Sequence, residues 1–373
     1  MTPTETVAAS PSTIQRLRLY YARHEGRVAA VFFAAGFVFD TVAVGRVDSW
    51  HMIAQQAIYL AIVTAVLTQM FFVPVEPALE GAPAVKRYYY RHRLALLSFF
   101  LGTLLNVYTL FFFKSSSLLV SFWFMLVMIG LLFLNEFGPF KRLGISFKFA
   151  LLSLCGLSFC ATVVPVIFGQ VGITVFLVSM AAACLPMLGL AAWIRRRAPD
   201  RYPAVRSQML VPFGLMLVVF LAAYLLRVIP PVPLSLPYIG VYHSVERTAE
   251  GYQLGHERPI WAFWRNGDQQ FRAQPGDRIY VFFRVFSPAS FADEVRMLWF
   301  HREQRRWALQ DTIPIKIVGG RAQGFRGYGF KSNYQPGAWK VHIETTDGRE
   351  IGRVYFDVEP APASPRTLTV DLH

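Results

Sequence analysis

Asp40 is the residue whose type and setting could most readily do chemistry. It lies within the apolar stretch Gly36-Phe37-Val38-Phe39-Asp40-Thr41. On a helix rising about 1.5 Å per residue, its carboxylate falls inside the outer half of a bilayer rather than at the surface. A carboxylate there is costly and calls for a partner. Arg46 and Lys114 are the candidate cations, both expected near the same outer face, and Asp48 can share the network. Two chemistries fit. Asp40 could relay a proton or ion, or touch a substrate. Alternatively it forms a structural pair locking the first span to its neighbours and to the outer loop. The structural pair is favoured, because a lone carboxylate rarely makes a transport pathway. Gln55, Gln56, Gln69 and Asn106 extend a polar seam or serve as interhelical hydrogen bonds.

The second group of interest is aromatic and basic, and lies in the C-terminal part of the chain. Trp261 and Trp264 occupy an irregular segment and suit a surface contact with sugar rings, peptide or membrane. Trp299 and Trp339 fall on core-facing positions of alternating segments and are assigned to packing. Arg321, Arg326 and Lys331, with Tyr328, flank Gly324, Gly327 and Gly329. This Gly/Arg stretch is a candidate ligand contact; a solvated strand with a bulge is the simpler reading. The possible ligand surface is therefore Trp261, Trp264, Arg321, Arg326 and Tyr328.

Motifs for other chemistries are missing. The 8 histidines include no HExxH or HxxxH pair, so a helix-borne zinc site has no support. There is no GxxxxGK[ST] and no GxSxG. Asp293 and Glu294 are adjacent and point to opposite faces if extended, which is wrong for an acid–base pair. The expectation is a protein without catalysis, metal or cofactor. The 3 cysteines, Cys155, Cys160 and Cys184, all lie in apolar runs and read as small hydrophobes.

The elements that must position these residues are legible from hydropathy and charge. Hydrophobic residues make up 54% and charged residues 16% of the chain. Apolar runs read as seven spans at 28–46, 51–73, 94–113, 118–137, 146–168, 171–194 and 209–229, each long enough to cross a bilayer. Of the 19 Lys and Arg before residue 235, 16 fall in alternate connections. These include Arg16 to Arg27, Lys86 to Arg93, Lys141 to Lys148 and Arg195 to Arg206. Only Arg46, Lys114 and Arg227 lie in the others. This is the positive-inside pattern. It implies a cytoplasmic N-terminus and an extracytoplasmic C-terminal part. It also accounts for most of the net charge of +14 as loops facing an anionic leaflet, which removes the main reason to expect a nucleic-acid partner. Residues 1–27 read as a cytoplasmic segment with an interfacial helix, and no cleavable signal peptide is expected.

Beyond Arg227 the pattern changes. Residues 230–237, with Pro230-Pro231-Val232-Pro233, read as a stiff linker. Residues 238–360 alternate with period two. Examples are Ile279, Val281, Phe283 and Val285 against Tyr280, Phe282 and Arg284, and likewise Trp339, Val341 and Ile343 against Lys340, His342 and Glu344. Asp347-Gly348 signals a two-residue hairpin. Roughly seven or eight such strands imply an antiparallel β-sandwich. Residues 361–373 read as a loose tail. The fold expected is an α-helical transmembrane bundle joined to an all-β sandwich.

Two stretches carry a resemblance. Gly36-Phe37-Val38-Phe39-Asp40-Thr41 followed by Gly45-Arg46-Val47-Asp48-Ser49 resembles the first span of bacterial multi-pass proteins ending in a domain of unknown function, type 2914. Gly337-Ala338-Trp339-Lys340-Val341, Asp347-Gly348 and Val354-Tyr355-Phe356-Asp357-Val358 are similar to that module's closing hairpin. The resemblance implies an architecture and transfers no catalytic residue. The function expected is a bacterial inner-membrane protein whose periplasmic sandwich binds or scaffolds an envelope partner, protein or glycan. The alternative is a small transporter or lipid-handling bundle using Asp40.

Overall fold

The computed structural model describes residues 48–73, 83–115, 126–131, 144–262, 264–288, 291–319 and 324–373. Five helical segments among them are long and apolar enough to cross a membrane. They are α1 (Trp50–Phe72), α2 (Ala84–Lys114), α3 (Ile145–Phe168), α4 (Ile173–Arg197) and the run Pro199–Leu225, which ends in α5 (Val211–Leu225). These five correspond to the second, third, fifth, sixth and seventh expected spans. The first lies outside the described residues, as does the fourth except for 126–131, so the count of seven is not established.

α2 begins ten residues before its expected start at 94, because the basic, tyrosine-rich run Lys86 to Arg93 is itself helical. That extension does structural work. Arg93, 5% exposed, donates from Nη1 to the Val73 carbonyl at 2.8 Å, capping the end of α1. Gln69 donates to the Tyr90 hydroxyl at 3.0 Å, so the glutamine expected in a polar seam joins α1 to α2. Arg201 donates to the Phe71 carbonyl at 3.2 Å at the same end.

The chain after α5 is β-rich. Its strands are β1 (Ser235–Tyr242), β2 (Ser244–Arg247), β3 (Tyr252–His256), β4 (Gln270–Ala273), β5 (Ile279–Phe286), β6 (Ala292–Glu303), β7 (Arg306–Val318), β8 (Phe325–Lys331), β9 (Gly337–Thr345), β10 (Glu350–Pro360) and β11 (Thr369–Leu372). They form sheets ordered β1-β5-β8, β4-β10-β9-β6-β7 and β11-β3-β2. The two larger sheets share one core, in which Val281 and Phe283 of β5 meet Met297 and Trp299 of β6, Trp339 and Val341 of β9, and Phe356 of β10. Period-two burial thus locates the core as the alternation implies.

Four expectations change in three dimensions. Pairing is not uniformly antiparallel: β4 runs parallel to β10, with Gln270 beside Asp357. Phe282 is fully buried although it alternates with core residues, because the smaller sheet covers the other face of β5 with Leu254 and Tyr252. The stretch 361–373, expected to be a loose tail, contains β11, paired along β3 from Thr369–His256 to Leu372–Gln253. The Asp347-Gly348 hairpin closes as a turn from Thr345 to Gly348, with Gly348 left-handed at φ 77°, so its loop is one residue longer than the two-residue form.

The proline-rich stretch is packed, not a free spacer: Ile229, Val232 and Leu234 are all buried. The reason is a clamp around Arg349. This arginine, 6% exposed, donates to the Tyr224 carbonyl at 2.7 Å, the Ile229 carbonyl at 3.2 Å and Asp347 Oδ2 at 3.0 Å. Its guanidinium lies 3.3 Å from the centroid of the Tyr224 ring, which stacks on Phe176 of α4 at 3.7 Å. Tyr224 in turn donates to Asp347 at 3.0 Å. On the other side the α3–α4 turn docks on β6: Ala292 donates to the Gly169 carbonyl at 3.1 Å, and Val171 donates to Asp293 at 3.2 Å.

Breaking a buried charged cluster by removing one partner costs about 3–5 kcal/mol, so Arg349→Ala should lower the unfolding midpoint of the detergent-solubilised chain by several degrees. Tyr224→Phe, which loses one hydrogen bond and keeps the ring, should cost about 1 kcal/mol. Calorimetric or fluorescence melts compare them, and equal small shifts would show that the clamp contributes little.

Candidate functional site

The segment between β3 and β4 has almost no regular structure, yet it is held firmly. A single 3₁₀ turn (Ile260–Ala262) carries Trp261, and Arg265 donates its backbone N–H to the Ala262 carbonyl at 3.0 Å. The loop is then pinned to β1. Gly267, at φ 66°, lies so close to Val241 that a Cβ would meet the Val241 oxygen at 2.0 Å, so only glycine fits. Asp268 donates its N–H to that same oxygen at 2.8 Å, and Asn266 donates to the Ile239 carbonyl at 3.3 Å.

The consequence is a pair of displayed indoles. Trp261 is 65% exposed and Trp264 60%, with ring centroids 5.7 Å apart. Two grooves adjoin them and share Arg265 and Gln269 as a wall. One, of about 400 Å³, includes Arg258, Asp268 and Arg272; the other, of about 440 Å³, includes Trp264, Arg353 and Tyr355. Tyr355 continues the aromatic surface onto the outer face of the five-stranded sheet, 5.9 Å from Trp307, over which Lys340 lies at 4.8 Å. Strand register places Tyr355 beside Lys340, and Lys340 beside Phe300, in one row across β10, β9 and β6.

Beneath the loop is a buried ionic cluster. Asp268, 4% exposed, accepts the Glu257 backbone N–H at both oxygens, at 3.1 and 2.9 Å. His243 stacks on Phe271 at 4.0 Å and accepts at Nδ1 from Arg366 at 2.8 Å. Its proton therefore sits on Nε2, which faces Asp268 at 3.5 Å. Arg366, from the C-terminal segment, also pairs with Glu257 at 2.8 Å and Asp277 at 2.9 Å and donates to the Arg272 carbonyl at 2.7 Å. Nearby, Asp371 of β11 meets His256 at 3.1 Å and Arg258 at 3.3 Å. Burial pushes the Asp268 carboxyl up to about 6, against the lowering effect of the Glu257 N–H. Burial, reinforced by the Arg366 charge, brings His243 down to about 4. Among the described residues no group of three or more His, Cys, Asp or Glu is arranged to hold a metal.

The residues singled out from sequence separate into distinct places. Trp261 and Trp264 come together on the loop. Arg326 and Tyr328 do not join them: they lie on β8, where Arg326 donates to the His373 carbonyl at 3.1 Å and Tyr328 sits 6.2 Å from Tyr252. Arg321 lies outside the described residues. Asp40 and Arg46 of the expected polar network do too. Asp48 precedes α1 and Lys114 ends α2. Because α1 and α2 run antiparallel, both lie at the end of the bundle that carries the β region. Trp299 and Trp339 are core residues, 0% and 2% exposed. Sequence reasoning missed His243, Glu257, Asp268, Asp277 and Arg366, which no local spacing links.

The helical part holds a separate feature, an apolar cleft of about 1000 Å³ lined by residues such as Leu60, Thr64, Gly156, Phe159, Pro186 and Trp193 of α1, α3 and α4.

Residues 292–358, from β6 to β10, match a family model described as a protein of unknown function, DUF2914. No curated protein matches the chain. Among solved structures, the alkylpurine DNA glycosylase AlkC of Pseudomonas fluorescens, bound to DNA containing an abasic site analogue, aligns at 13% identity over 84% of this chain and 100% of that one. Its TM-score of 0.22 carries no argument about fold or function.

The two shifted groups set a pH dependence of opposite signs. Asp268, raised from 3.8 to about 6, contributes stability below about pH 4 that is lost as pH rises through 6. His243, lowered from 6.5 to about 4, contributes stability above pH 6.5 that is lost as pH falls through 4. They offset each other in the wild type. Asp268→Asn should therefore leave a chain that loses stability on acidification from pH 6.5 to 4, by on the order of 1–3 kcal/mol. His243→Gln should lose stability in the opposite direction. Denaturant midpoints taken across that range test both, and parallel profiles for the two variants would contradict the assignment.

Proposed function

We propose that this chain is a multi-pass bacterial inner-membrane protein whose β region, a sandwich, lies on the extracytoplasmic side and binds or scaffolds an envelope partner, protein or glycan, without catalysis. The observation that carries the reading is the pair of exposed indoles, Trp261 and Trp264, on a loop pinned at Gly267 and Asp268 beside two grooves. Large aromatics held rigidly in solvent supply contact area at little entropic cost, and such residues concentrate at binding hot spots. The ionic cluster beneath is structural in this reading. The His243 side chain is 3% exposed, and its two nitrogens face Arg366 and Asp268.

The orientation is supported by the distribution of charge. Lys86 to Arg93 begin α2 and Arg195 to Arg197 end α4, at the end of the bundle opposite the α3–α4 turn that meets β6. Basic residues at that end suit the cytoplasmic face. A lipid-handling bundle is the second reading, favoured by the apolar cleft among α1, α3 and α4.

Reporter fusions after Lys114 and after Pro237 should both be active on the extracytoplasmic side, and a cytoplasmic signal at either would overturn the orientation. The detergent-solubilised chain should co-sediment with isolated envelope material. The double variant Trp261→Ala/Trp264→Ala should lose most of that retention while keeping its unfolding midpoint, because both side chains are exposed. Undiminished retention would remove this surface from the function.

A further inference from the structure

Resting on the reading of the Trp261–Trp264 face as a binding surface, the geometry points to an acidic glycan, one carrying carboxylate groups along a saccharide chain, as the ligand of the paired grooves. Three observations converge on that class. The first is stacking area. Trp264 and Tyr355 line the same groove, so a sugar ring has aromatic faces to rest against and amide and guanidinium groups, from Gln269 and Arg353, within the same space.

The second is charge that the protein itself does not use. Most charged groups of the grooves are neutralised internally. Glu257 pairs with Arg366, Arg258 with Asp371, and Arg353 with Glu350. Asp268, 4% exposed, accepts the Glu257 backbone N–H at both carboxylate oxygens. Arg265 and Arg272 are different. Neither makes an ion pair among the described residues, and Glu359, the register partner of Arg272 on β10, forms none with it. Arg265 belongs to both grooves and Arg272 to the one that includes Arg258 and Asp268. Two guanidiniums without an internal carboxylate partner, one of them on the wall that the adjoining grooves share, match carboxylates spaced along a chain, and guanidinium–carboxylate hydrogen bonds are among the stronger polar contacts available.

The third is preorganisation. The wall residue Arg265 follows a 3₁₀ turn and donates its backbone N–H to the Ala262 carbonyl at 3.0 Å, while its own carbonyl accepts from Arg258. The loop therefore presents its cation from a fixed backbone, which lowers the ordering cost of binding. A neutral glycan would use the aromatic faces and offer both guanidiniums only hydroxyl acceptors, without charge-assisted contacts. An acidic one uses both.

The test uses the full chain in nanodiscs of zwitterionic lipid, titrated calorimetrically with a galacturonate hexamer and with maltohexaose as the neutral probe. The uronate oligomer should bind at least about tenfold more tightly, as expected if one or more charge-assisted contacts distinguish the two. The advantage should shrink as salt is raised. Arg265→Gln/Arg272→Gln should abolish the preference, Arg265→Lys should retain part of it, and Trp264→Ala should weaken both ligands. Equal affinity for the two oligomers, or a preference that survives the double Gln variant, overturns the acidic-glycan assignment while leaving the binding surface in place. Binding to neither oligomer, with envelope retention still dependent on Trp261 and Trp264, overturns the glycan class alone. Loss of that retention dependence as well removes the surface reading itself. An Arg265-dependent signal on phosphatidylglycerol vesicles, without uronate binding, would replace the glycan with a lipid headgroup and overturn the proposal.

Discussion

The guanidinium of Arg349 sits where the helical bundle becomes the β region, and most of the architecture hangs on what it bonds. A helix that ends leaves carbonyls without intrahelical partners. At the end of α5, the Tyr224 carbonyl accepts the Arg227 N–H and Arg349 adds a second donor to it, bonding also the Ile229 carbonyl beyond. It reaches them from the β9–β10 turn, the hairpin at the middle of the five-stranded sheet. The same cation lies over the Tyr224 ring, and that ring stacks on Phe176, so one side chain connects α4, α5 and the sheet. The α3–α4 turn supplies a second fixed point at Ala292 and Asp293. Two separated attachments fix an orientation where a single tether would not, and this is why the proline-rich stretch is buried instead of acting as a free spacer.

A second constraint works at the other end of the β region. The loop that carries Trp261 and Trp264 has too little regular structure to hold its own shape. Its backbone is fixed by Gly267 against Val241, by Asp268 gripping the Glu257 N–H, and by Arg366 bridging Glu257 to Asp277. The last of these comes from the C-terminal segment, whose strand β11 also places Asp371 beside His256 and Arg258. The displayed surface therefore depends on the C-terminal segment, whose ion pairs and hydrogen bonds to Glu257, Asp277 and the Arg272 carbonyl tie the loop to neighbouring strands.

Much of this was legible in the sequence at the level of elements. Alternation picked out Ile279, Val281, Phe283 and Val285 as core residues of β5, and it assigned Trp299 and Trp339 to packing, because side chains on a strand repeat every two residues. The irregular setting of Trp261 and Trp264 marked them as displayed. Alternation does not mark Phe282 as core, because it reports one covered face, and the small sheet that covers the other is built from residues 244–247, 252–256 and 369–372. The parallel partnership of β4 with β10 was hidden for a related reason: nothing in four residues of β4 records which strand lies beside it. Residue type alone groups Arg326 and Tyr328 with the tryptophans, whereas the fold places them on β8.

By itself, the sequence determined the apolar segments, the partition of basic residues among their connections, and the change at the proline-rich stretch from helical to alternating pattern. These follow from local chemistry, since transfer of a run into lipid, or burial of one face of a strand, depends on residues within a few positions of one another. Tertiary structure decided which polar groups meet. His243 reaches Arg366 across 123 positions, and Arg349 reaches Tyr224 across 125. A hydrogen bond or ion pair is effective only over a few ångströms, so its partners are selected by the packed core that brings distant strands and helix ends together, and no spacing along the chain announces them.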